Sequence, residues 1–269
     1  QNATTASYNT AVGSYALIAN TTGTNNVALG ANSLQPNTTG GQNTGLGKGA
    51  LASNTTASNN TAVGFESLVS NTTGASNVSV GKSALATNTT GHRNTALGFE
   101  AAELSTASDN VAIGYKALDT TTSGSNNTAV GTEAMDANTT GSANVAVGYR
   151  TLDANTTGAD NVAVGQAALG ANTTASYNTA VGKGALTSNT TSGRNTAVGY
   201  NSLFSNSTGD NNTAVGENSG LSTTTGHNNT FIGQDAGEAN TTGNYNVALG
   251  SDALDSNTTA SNNTAVGTS

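Results

Sequence analysis

The strongest constraint on this chain is that it repeats itself. The pentapeptide Asn-Thr-Ala-Val-Gly stands at Asn9–Gly13 and again from Asn60, Asn127, Asn178, Asn195, Asn212 and Asn263. The looser motif Asn-(Thr/Val)-small-(Val/Leu/Ile)-Gly starts at Asn9, Asn26, Asn43, Asn60, Asn77, Asn94, Asn110, Asn127, Asn144, Asn161, Asn178, Asn195, Asn212, Asn229, Asn246 and Asn263. Fourteen of the fifteen steps are 17 residues and one, Asn94 to Asn110, is 16. A fixed short period over a whole chain is the signature of a unit that stacks on copies of itself. The consensus is N-[TV]-A-[VLI]-G-x-x-[AS]-L-x-x-N-T-T-G-x-x, numbered below as positions one to seventeen.

Position four is aliphatic and position five is Gly in all sixteen copies; position nine is Leu in eleven of fifteen. Charged residues make up 8% and aromatics 4%, too few large side chains for a wide core. Every Lys and Arg lies at positions six, seven or seventeen, and every Asp and Glu at six, seven, ten or the last two. Disorder would not demand such register. Frequent Gly and Asn argue against helix. Short β-branched runs bounded by them read as strands. The pattern predicts an all-β solenoid (a β-helix or β-roll) of about sixteen stacked 17-residue coils. Each coil would hold two strands, near positions one to four and eight to eleven. Sixteen coils at one strand spacing of ~4.8 Å would give a rod of roughly 75 Å.

Residues 1–8 read as an incomplete leading coil and 9–269 as one continuous repeat domain. The short coil, 94–109, should be irregular, with a bulge or kink. Coils thirteen and fourteen, with Gly220, Gly237 and Phe231, should be irregular too. Gly at position five supplies a tight corner or a close backbone approach, and N-T-T-G a second corner. The Asn residues at position twelve, and the sixteen at position one, are expected to stack amide on amide from coil to coil as ladders. Positions two and four share one strand face, and one, three and five the other. With the aliphatic row turned inward, the Ala/Gly row would form a smooth outer surface suited to self-association. A monomeric rod is the alternative.

The run "NTAVGYNSLFSNSTGDNNTAVG", Asn195 to Gly216, resembles repeats of phage tail-fibre-like proteins and of bacterial surface fibre proteins. The resemblance covers the whole chain. It implies an elongated, often trimeric β-structured stalk with a receptor-binding tip. Many such proteins end in a self-cleaving intramolecular chaperone, which nothing here matches. The units are also similar to the head repeats of trimeric autotransporter adhesins, at a different repeat length.

Chemistry is sparse. His92 and His227 both fall at position sixteen and read as solvated loop residues rather than catalytic ones, so no enzyme is expected. With no Cys, disulfides and thiolate metal sites are excluded. Asp119, Asp136 and Asp153 take position ten in three successive coils. Stacked carboxylates repel unless a cation such as Ca²⁺ bridges them; a charged surface row is the simpler reading. Twelve coils spell an N-glycosylation acceptor at position twelve: Asn20, Asn37, Asn54, Asn71, Asn88, Asn138, Asn155, Asn172, Asn189, Asn206, Asn240 and Asn257. The neighbouring Thr residues are candidates for O-linked sugar. Phe65, Phe99, Tyr115, Tyr149 and Tyr200 at position six, and Tyr177 and Tyr245 at seventeen, read as scattered surface aromatics.

A formal net charge of −8 argues against nucleic acid or an anionic membrane as partner, and no apolar run approaches a membrane span. The absence of a signal peptide suggests a mature form or another route. The closing "NTAVGTS" leaves an uncapped strand edge, expected in a segment of a longer fibre or a subunit that polymerises end to end. Together these features predict a structural, extracellular, cell-surface or virion filament that self-associates, as a trimer or end to end. An adhesin that recognises surface glycans is the rival, and an ice-binding solenoid ranks third.

Overall fold

The computed structural model describes residues 5–268 and is an all-β parallel solenoid. The chain divides into two compact units, Gln1–Glu133 and Ala134–Ser269. The first holds strands β1 (Thr10–Val12) to β8 (Thr128–Val130), the second β9 (Val145–Val147) to β16 (Thr264–Val266). Of the leading segment 1–8, the first four residues lie outside the described part.

Every coil carries one strand, three residues long, at positions two to four. Within each unit each strand pairs in parallel with the next at matching repeat positions, as in Ala11 against Ala28 or Ala163 against Ala180. The ladder continues one residue beyond the strand on each side. The Thr10 N–H reaches the Asn26 carbonyl at 2.8 Å, and the Gly30 N–H reaches the Val12 carbonyl at 2.8 Å.

The second strand expected near positions eight to eleven does not form. That stretch is a chain of turns. In the third coil the Gly47 carbonyl accepts from the Ala50 N–H, the Gly49 carbonyl from Ala52 and the Leu51 carbonyl from Asn54, at 3.1–3.3 Å. Positions seven and nine take positive φ: Asn32 59° and Leu34 49°, Glu66 53° and Leu68 51°. A type II turn requires positive φ at its third residue, and here two such turns overlap. Holding Leu in the left-handed region costs on the order of 1–3 kcal/mol. Leu34 and Leu68 are fully buried, which offsets that cost by about 1.5–3 kcal/mol each.

The two strand faces are the reverse of the expectation. The position-three Ala row is inside: Ala28, Ala62, Ala96, Ala129, Ala163 and Ala197 have no exposed surface. The aliphatic row at position four is outside, with Leu29 44% and Leu97 46% exposed. The reason is width. Position three faces positions eight and nine across the coil, and at Gly45 even an added Cβ would lie 2.5 Å from the Ser33 Oγ. Val or Leu does not fit there.

Phe231 tests that argument. It occupies position three of coil fourteen, fully buried, against the Gly that coils thirteen and fourteen both carry at position nine. A Cβ on Gly237 would lie 2.5 Å from its ring, and one on Gly220 2.8 Å. The Phe ring fills the space two Leu side chains vacate. Coils thirteen and fourteen therefore keep regular strands in regular register, Ala214 against Phe231 and Phe231 against Ala248, and the irregularity expected there is absent.

The short coil 94–109 likewise keeps its ladder. β6 (Thr95–Leu97) and β7 (Val111–Ile113) pair without a bulge, so no kink enters the strands. The missing residue is taken from the second corner. The Asn94 side chain reaches the Ala107 carbonyl 13 residues on, at 2.8 Å, where other coils use a spacing of 14. Ser105 replaces the corner Asn and its buried Oγ finds no hydrogen-bond partner.

Candidate functional site

The two Asn rows form one buried amide network. At position one, the Asn26 Oδ1 accepts the backbone N–H of Asn43 at 2.9 Å, and the Asn26 Nδ2 donates to the Gly40 carbonyl at 2.9 Å. At position twelve, the Asn37 Nδ2 donates to the same Gly40 carbonyl at 2.9 Å and to the Asn20 Oδ1 of the preceding coil at 3.1 Å. The expected ladder at position one is present, in a different form. Its repeating bond runs from backbone N–H to side-chain Oδ1, with amide-to-amide bonds only in some coils, as at Asn77 to Asn60, 3.2 Å. The amide-on-amide ladder belongs to position twelve, where Asn54, Asn71, Asn155 and Asn172 each donate to the Asn one coil back at 2.9–3.0 Å.

This placement bears on the glycosylation candidates. Asn20, Asn37, Asn54, Asn71, Asn88, Asn138, Asn155, Asn172, Asn189, Asn206 and Asn240 are buried, all at 2% exposure or less; Asn257 is half-buried. In Asn37 both amide hydrogens are already used, so a sugar on Nδ2 would displace one bond and find no room. In the folded coil the eleven buried Asn serve as corner residues with no room for a glycan on Nδ2, while Asn257 stays half-buried. The position-fourteen Thr behind them, such as Thr157 and Thr174, is exposed.

Of the candidate cation ligands, Asp119 lies in the first unit, Asp136 and Asp153 in the second. The Lys116 Nζ stands 3.3 Å from the Asp119 Oδ2 and 3.2 Å from the Glu100 Oε2. Burial pushes the Asp119 carboxyl up, while Lys116 draws it down. Bonding to Glu100, and then the charge of Asp119, raises Lys116. Asp153 faces the Arg150 Nε at 3.8 Å. Among the described residues no group of three or more His, Cys, Asp or Glu is placed to hold a metal ion.

The position-six aromatics are less scattered than their spacing suggests. The Lys48 ammonium lies 5.6 Å from the Phe65 ring centre and the Lys82 ammonium 5.0 Å from that of Phe99. The Phe99 ring stacks on Tyr115 at 5.6 Å and 14°. A cation or a neighbouring ring thus covers a face of each of Phe65, Phe99 and Tyr115. Tyr149 sits beside Arg150 and Tyr177 beside Arg194, and Tyr200 is exposed. His92 accepts the Ala75 N–H on Nδ1 at 3.0 Å, and His227 meets the edge of Tyr245. The two histidines lie in different units.

The surface that sequence reasoning missed is the outward strand face. On every rung it presents Thr or Val at position two and Val, Leu or Ile at position four, with no charge on either row. The overlooked signal was position one: Asn shares a face with position three, and an amide ladder belongs inside. Among the described residues no helix is long and apolar enough to cross a membrane. Comparison with protein-family models, curated proteins and solved structures finds no match to this chain.

Proposed function

We propose that this protein is a non-enzymatic structural fibre component, acting outside the cell or on a virion, whose work is mechanical. The observation that carries this reading is where the repeated side chains go. Asn at positions one and twelve, Ala at three and Leu at nine are turned into the coil and bonded or packed against the neighbouring coil. What the sequence repeats is thus a stacking interface, and elements that touch only their neighbours lengthen without a larger core. The resemblance to tail-fibre-like and surface-fibre repeats gives the same reading. Light scattering with negative-stain imaging tests it: thin filaments or slender rods are expected, and compact particles would refute it. A glycan array distinguishes the adhesin reading, and specific glycan binding there would replace the mechanical role by recognition.

A further inference from the structure

We infer that the outward strand face, positions two and four, is the seam against which a second copy of this chain packs. The inference rests on the structural reading for its purpose and names the partner that reading needs.

The first argument is area. The position-four residues sit 36–46% exposed at Leu29, Leu46, Leu97, Val181, Val215, Ile232 and Leu249, on the order of 60 Å² each. Adding the position-two residues, the eight rungs of one unit offer on the order of 800 Å², the share each partner contributes to a standard stable interface.

The second argument is charge. All 22 Lys, Arg, Asp and Glu side chains fall on other rows, so two such faces meet without stranding an ion. The face itself therefore adds no like-charge repulsion between two copies. The third is shape. Both rows consist of β-branched or γ-branched side chains at one strand spacing, and sheets pack through interdigitating rows about 10 Å apart. A face that meets its own copy is isologous and closes on itself. Because each rung repeats the last, the same seam also accepts a stagger of whole coils, which would extend it into a fibre.

The test is sedimentation velocity on the full chain across a concentration series. Self-association at micromolar concentration is expected. The triple variant Val181→Thr, Val198→Thr, Val215→Thr keeps β-branched residues on the strands and should weaken association at least tenfold. The matching variant Val181→Lys, Val198→Lys, Val215→Lys should abolish it. A control, Thr157→Lys, Thr174→Lys, Thr191→Lys, charges the corner instead and should associate as the parent does. Far-UV circular dichroism confirms that each variant is folded. A parent chain that stays monomeric throughout would overturn the inference, as would a control that dissociates like the seam variants. Shaping of ice crystals by a monomeric parent would overturn it in favour of ice as the occupant. Specific glycan binding by a chain that still self-associates would instead remove the structural reading and leave the seam standing.

Discussion

Replacing Asn60 by Ala should destabilise the fourth coil by about 3 kcal/mol, and the structure says which bonds make up that figure. The Asn60 Oδ1 accepts both the backbone N–H of Asn77, at 2.9 Å, and its Nδ2, at 3.2 Å. The Asn60 Nδ2 donates to the Gly74 carbonyl at 2.9 Å, which the Asn71 Nδ2 also bonds at 2.9 Å. Truncation therefore leaves the Asn77 N–H buried without an acceptor, at about 1–3 kcal/mol, and removes further bonds worth roughly 0.5–1.5 kcal/mol each. The Asn77 Nδ2 keeps the Gly91 carbonyl and Gly74 keeps one donor, so the further loss is close to one bond and the sum of about 1.5–4.5 kcal/mol centres near 3. Hydrogen exchange followed by mass spectrometry reads the effect locally. A 3 kcal/mol loss makes exchange of the Asn77 amide about a hundredfold faster. The isosteric Asn60→Asp separates shape from bonding. Its carboxylate would be buried against the Gly74 carbonyl, which raises its folded pKa above the unfolded value of about 3.9. The native state then binds the extra proton, so stability is greatest below the unfolded pKa and is lost as pH rises through the folded one. Near pH 3 the variant should approach the parent, because the protonated acid donates to Gly74. If Asn60→Ala leaves Asn77 protected, the amide ladder does not hold the coils together and the reasoning fails.

Other perturbations probe other links. Phe231→Ala should cost about 3–5 kcal/mol through the cavity it opens. Gly237→Leu alone should also destabilise, because its Cβ meets the ring at 2.5 Å, yet the double variant should recover part of the loss in thermal melts. Gly64→Ala, at φ 136° with its Cβ 2.5 Å from the Gly81 carbonyl oxygen, should lower stability by more than the ~1–3 kcal/mol of backbone strain, measured by chemical denaturation. Asp119, raised chiefly by burial, binds more protons folded than unfolded, so its contribution improves as pH falls through its folded pKa toward the unfolded value near 3.9. Asp119→Asn should raise the melting temperature at pH 7 and flatten its pH dependence over that window. Removal of divalent cations with a chelator should leave the melting temperature unchanged, since Lys116 already bridges Asp119 and Glu100.

The period of the motif, its β-branched content and the confinement of charge to a few positions determined, from sequence alone, an all-β stack of 17-residue coils. Asn at position one was legible as a ladder, though not as an internal one, and Gly at position five as a close approach, because few residue types serve those roles. Sequence could not say which strand face is inside. Neither face carries charge, so polarity gave no vote, and the larger aliphatic side chains looked like the core. Only the tertiary structure supplies the deciding quantity, the distance across the coil, which admits Gly, Ala or Ser opposite Leu, and Phe231 only where Gly220 and Gly237 make way for it. The missing second strand has a similar cause. Leu at position nine reads as a strand residue, and its left-handed φ, held by burial against the next coil, is set by contacts a single repeat does not contain. The position-twelve Asn spells a surface acceptor sequence; stacking turns it inward, because its amide completes the bonds of the coils on either side.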